Sequence, residues 1–172
     1  MRKARLLEKM DEPQFAMYAY LKVIPHVPRD QPEFCLSTAK KVAQHFHAQF
    51  KNEIALEAMS SAYKNFKSNF TLEDINLYLE LLILNKNYAK VLDCLKETTR
   101  LELEMDTDAR GNEGIVYCAI PDDDAMLVPD VRAKLFVSLI HLKAHHLLGY
   151  LIQNVHEQIP IVDDRLDLYI DI

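Results

Sequence analysis

The tightest constraint on how this chain can fold is a recurrence: three of its stretches superpose at regular steps. Residues 14–23, 53–63 and 89–98 align on Ala16, Ala55 and Val91, with spacings of 39 and 36 residues. Each anchor has a partner seven positions on (Val23, Ala62, Thr98), two turns further along the same helix face. Leu148 and Val155 make a fourth pair of this kind. A small or medium side chain at both places lets a second helix lie close, as a packed helical hairpin requires. Upstream of each anchor runs an amphipathic stretch, at residues 1–10, 34–49, 72–85 and 129–142. In the third of these, Ile75, Tyr78, Leu79 and Leu82 follow the i, i+3, i+4, i+7 spacing of one buried stripe.

Helix starts and stops are visible in the same runs. Thr71 precedes Asp74 as a capping box would, with the Thr71 hydroxyl accepting from the Asp74 amide. Pro129 opens the fourth run, a favoured place for proline. Pro28 and Pro160 each follow an anchor by twelve residues, where a tetratricopeptide unit places its terminating proline. The expected fold is therefore all-α, a tetratricopeptide-like helical-repeat solenoid of about four helix pairs. Its units are a partial first repeat at 1–30, then 34–67, 71–105 and 129–160, with a truncated fifth at 163–172. The third and fourth anchors stand 57 residues apart, so residues 106–128 read as an acidic inserted loop. That insertion carries Asp122, Asp123 and Asp124 and is expected to hold a short strand at 115–120. Cut inside a repeat at either end, the chain is expected to be a fragment, marginally stable or prone to associate when isolated.

Composition agrees with helices. Three glycines in 172 residues are too few for the turns of a sheet-rich fold, and 49% hydrophobic content suffices for a core. Cys35, Cys94 and Cys118 form no C-x-x-C pair, which speaks against a disulfide framework or zinc knuckle and for a reducing compartment. The apolar stretches at 77–84 and 135–142 are too short to span a bilayer, and no apolar run follows the basic N-terminus. Charge is uneven: residues 1–70 carry +4 and residues 71–172 carry −10. A surplus of +4 spread over several helices is ordinary solvated charge rather than a nucleic-acid footprint.

No catalytic or metal chemistry follows from the motifs. The segment from Asp106 to Gly111 begins like a calcium loop, but Arg110 and Tyr117 fall where oxygen ligands are needed. His45 and His47 point to opposite sides of a helix, and a turn near Lys143 separates His141 from His145. Ser37-Thr-Ala-Lys40 has the S-x-x-K spelling without its companion motifs. The chain is expected to be no enzyme and to need no cofactor or metal. What a helical repeat offers instead is a groove lined by first helices, here with Lys40, Gln44, His47, Asn76 and Glu80 as partner-facing residues.

The stretch FTLEDINLYLELLILNKNY at 70–88 is more particular than a generic repeat. With Ile120-Pro-Asp-Asp123, Pro129-Asp-Val-Arg-Ala-Lys-Leu135, Ile140-His-Leu142 and Leu166-Asp-Leu-Tyr169, it resembles the tetratricopeptide (polypeptide 3 type) subunits of general transcription factor IIIC. The resemblance runs from about residue 10 to the end, acidic insertion included. It implies a nuclear scaffold of RNA polymerase III transcription initiation, bridging a promoter-bound complex and factor IIIB. Partners would be other factor IIIC subunits and factor IIIB components, with any DNA contact indirect and no membrane involved. Members of that family are longer, with a second repeat array and an acidic N-terminal region. The competing reading is a generic tetratricopeptide adaptor of the co-chaperone type. Such an adaptor clamps a carboxylate with Lys, Arg and Asn on successive first helices, where this chain offers Glu73 and Glu80.

Overall fold

The computed structural model describes residues 5–6, 13–107, 113–121, 124–144 and 146–148. It divides into two compact units, Met1–Leu81 and Leu82–Ile172. The described residues are mostly helical, with one small sheet. In the first unit lie α1 (Pro13–Val23), α2 (Pro32–His47), α3 (Asn52–Phe66) and most of α4 (Leu72–Leu84). The second unit holds the end of α4, then α5 (Tyr88–Thr98), β1 (Glu102–Thr107), β2 (Glu113–Ala119) and α6 (Pro129–His141). Short 3-10 turns at Ile24–His26 and Lys67–Asn69 close α1 and α3. The expected helix of residues 1–10, apart from helical Arg5 and Leu6, and everything expected of residues 149–172, including Val155, Pro160 and a further helix, lie outside the described residues.

Alanine sets the packing of the first unit. Ala16, Ala39, Ala43, Ala55, Ala58 and Ala62 are all fully buried, so α1, α2 and α3 meet through faces with little side-chain bulk. On α2 the buried set is Cys35, Thr38, Ala39, Val42, Ala43 and Phe46, a stripe of helical period that α3 covers. Larger groups fill the flanks: Tyr18 meets the Phe46 ring at 4.9 Å, and Tyr63 stacks on Tyr78 at 4.9 Å with Phe70 edge-on to Tyr63.

Three turns repeat one geometry. Among the described residues, Phe50, Lys86 and Lys143 are the non-glycine residues of positive φ, at 58°, 58° and 61°. In each case the amide of the next residue bonds a carbonyl five positions back: Lys51 to Phe46 (2.9 Å), Asn87 to Leu82 (2.8 Å) and Ala144 to Leu139 (2.9 Å). The left-handed residue itself bonds three back, to His47, Ile83 and Ile140. This is the Schellman closure, and it ends α2, α4 and α6 alike. The turn residues at 50, 86 and 143 each precede an anchor (Ala55, Val91, Leu148) by five residues. The turn expected between His141 and His145 is the third of them, with Lys143 in the left-handed position; His145 lies outside the described residues.

Part of the inserted segment is strand rather than loop. It forms an antiparallel hairpin whose first strand begins at Glu102, four residues before the expected insertion. The cause is period-two patterning: Leu103 and Met105 alternate with Glu102, Glu104 and Asp106, so one face can meet the core while the other takes water. Register runs Glu102 opposite Ala119, Leu103 opposite Cys118 and Glu104 opposite Tyr117, then slips so that Met105 faces Ile115. Val116 is the extra residue of this bulge; it is exposed, while Ile115 and Cys118 are buried. The acidic triplet contributes a fastening: Asp124 accepts from the Arg100 amide at 2.8 Å and from the Met126 amide at 3.0 Å. Asp122 and Asp123 lie outside the described residues.

Helix α6 is buried from Val131 to Leu139, charged residues included. Arg132 donates from Nε to the Leu127 carbonyl at 2.7 Å and from Nη2 toward the Pro121 carbonyl at 3.4 Å, tying the hairpin's return to the helix. The Lys134 ammonium bonds Asp130 one turn earlier at 2.7 Å. Both cations are satisfied where burial would otherwise be prohibitive.

Candidate functional site

The five residues expected to face a partner come from α2 and α4, and all five lie within the first unit. Two side-chain contacts, one of them an ion pair, form rungs between these helices. Lys40 Nζ lies 2.7 Å from Asp74 Oδ1, and two turns along α2 His47 Nε2 lies 3.9 Å from Glu80 Oε1. These rungs require α2 and α4 to run side by side. Gln44, between the rungs on α2, is exposed, and Asn76 is half-buried and engaged in interactions of its own.

Asp74 is the electrostatic centre of the row. It occupies the third position of α4, where the Thr71 amide donates to Oδ2 at 3.0 Å, the Thr71 hydroxyl donates to the same oxygen at 2.8 Å, and the Asp74 amide reaches Thr71 Oγ1 at 3.3 Å. The capping box is thus reciprocal, with aspartate in the acidic place. The remaining oxygen, Oδ1, is buried and has no well-aligned donor among the described residues, so the Lys40 contact there is ionic rather than directional. Burial pushes the Asp74 carboxyl up; the Lys40 ammonium and the Thr71 amide and hydroxyl outweigh it and hold the group below its ordinary 3.8.

His47 is oriented by Asn52 at the start of α3, with Nδ1 2.9 Å from Asn52 Oδ1. With Nδ1 held at Asn52, Nε2 is the atom turned to Glu80. Of the S-x-x-K residues, Ser37 donates to the Phe34 carbonyl at 3.2 Å, and Lys40 pairs with Asp74. Among the described residues no group of three or more His, Cys, Asp or Glu side chains could hold a metal ion, and no helix is long and apolar enough to cross a membrane. Cys35 and Cys118 are buried, and burial pushes both thiols up to about 11.

One feature of the second unit has no counterpart in the expected site. Ala89, Leu92, Asp93 and Lys96 of α5, Leu103 and Met105 of β1, Gly114 and Ile115 of β2, and Leu142 surround a groove of about 210 Å³. The alternation at 102–106 was the sequence signal for it.

No protein-family model matches the chain, and no solved structure matches it. Among curated proteins, human General transcription factor 3C polypeptide 3 is 28% identical over 177 residues. That alignment covers 99% of this chain and 19% of the human protein's length. The two are distant relatives. The chain spans about a fifth of the relative it matches, so the similarity concerns one part of that protein.

Proposed function

We propose that this chain is a run of tetratricopeptide-type repeats that serves as a protein-binding scaffold in RNA polymerase III transcription, within the nucleus. One observation supports the repeat reading above others: the same left-handed turn recurs five residues before each of three aligned anchors. A shared local geometry at shared offsets is what repeated helix pairs produce, with units at 34–67, 71–105 and 129–160 flanked by partial ones at 1–30 and 163–172. The transcription reading rests on similarity to a protein named as a general transcription factor 3C polypeptide. The reading is non-catalytic.

The partner groove is the α2–α4 row. Gln44 and Glu80 supply contacts there, with His47 and Asn76 beside them. Lys40 has a different part from a carboxylate clamp, because its ammonium already neutralises Asp74. That removes one of the cations a co-chaperone adaptor would need. The test is affinity purification of the tagged chain from nuclear extract, with mass spectrometry, beside a Gln44→Ala/Glu80→Lys variant. Factor IIIC subunits or factor IIIB components retained by the parent chain and depleted from the variant are the expected result. A different stable set of partners for the parent chain would discard the transcription assignment.

A further inference from the structure

The hairpin offers a surface that owes nothing to the α2–α4 row. It is a two-stranded sheet, β1 against β2, so each strand has one edge without a strand partner among the described residues. The two edges are not equivalent. β2 is kinked by the bulge at Val116 and followed by Pro121, both of which spoil an edge for further pairing. β1 is regular over Glu102–Thr107.

The side chains of β1 define what can lie against that edge. Leu103 and Met105 look into the groove beside α5, and Met105 is 59% exposed there. On the opposite face Glu102, Glu104 and Asp106 are exposed, and no cation pairs with Glu102 or Glu104 among the described residues. Tyr117 lies directly across from Glu104 and is 40% exposed, placing an aromatic ring beside the carboxylates. A strand added to β1 would extend both faces at once, alternating between apolar contact at the groove and contact with carboxylates. Like charge on every second residue opposes a second copy of β1, and it opposes nucleic acid; it favours cations.

We infer that the edge of β1 away from β2 is a docking site for an extended peptide segment in which Lys or Arg alternates with large apolar residues. Main-chain hydrogen bonds to β1 supply affinity, the groove takes the apolar side chains, and Glu102, Glu104 and Asp106 take the cations. The surface stands independently of the proposed transcription role.

The probe is a fluorescent synthetic peptide alternating lysine with isoleucine, titrated into the full chain by anisotropy. Controls are a peptide of equal composition with the lysines in one block, one alternating glutamate with isoleucine, and the first peptide N-methylated along one edge. Glu102→Lys/Glu104→Lys is compared after circular dichroism confirms its helix content. The alternating lysine peptide should bind best, lose on the order of tenfold in affinity to the double variant, and slow amide exchange at residues 102–107. Equal binding of the block or N-methylated peptide, undiminished binding by the double variant, or protection away from β1 would each overturn the proposal.

Discussion

Replacing Lys86 with glycine should stabilise the protein, against the usual effect of adding glycine. Lys86 sits at φ 58°, the left-handed position of the turn that ends α4. An L side chain there costs about 1–2 kcal/mol, because Cβ crowds the following carbonyl. Glycine removes that crowding but adds freedom to the unfolded chain, which costs about 0.4–1 kcal/mol. The bonds that define the turn, Lys86 to Ile83 and Asn87 to Leu82, are main-chain and survive the change. Lys86 is exposed, so little packing is lost with its side chain. The balance is a gain of roughly 0.7 kcal/mol. With a urea slope of about 2 kcal/mol/M, the midpoint should rise by roughly 0.3 M at unchanged slope. Lys90→Gly, at an exposed position inside α5, is the control of opposite sign, since glycine within a helix costs about 1 kcal/mol. Both variants falling by similar amounts would refute the reasoning and with it the shared geometry of the three turns.

Two further outcomes follow from titratable groups. Asp74 is held below its ordinary 3.8, so its contribution to stability is complete above that value and is lost as pH falls through the folded one. The stability difference between parent and Asp74→Asn should be flat above about pH 5 and shrink in more acid solution, as thermal melts at a series of pH values would show; a difference that grows with acidity would contradict the ion pair. Cys35, Cys94 and Cys118 are buried and in no disulfide, and the thiols of Cys35 and Cys118 are raised to about 11, so a thiol reagent at neutral pH should modify none of the three until the chain unfolds. Stoichiometric labelling in native buffer would show that one of these helices or β2 opens readily.

Among the described residues, local sequence was enough to place several helices. The stripe from Ile75 to Leu82, Pro129 at the start of α6 and the Thr71–Asp74 box each depend on neighbours within a turn or two, and each is found where that logic puts it. The hairpin was half legible. A strand near 115–120 was expected, but its partner at 102–107 was read as helix end and loop, because a short alternating run counts as a strand only once something pairs with it. The charged row shows the same limit. Lys40 and Glu80 were assigned to an outward surface from their helical phase alone, whereas α4 lying along α2 converts Lys40 into the counter-ion of Asp74 and sets Glu80 beside His47. Arg132 and Lys134, charged residues in a helix buried throughout, could not be told from surface cations until Leu127, Pro121 and Asp130 were seen to receive them. Periodicity and capping are written within about ten residues of chain and so belong to the sequence; which charge meets which, and which strand finds an edge, depends on contacts between residues far apart in sequence, and those exist only once the helices have packed.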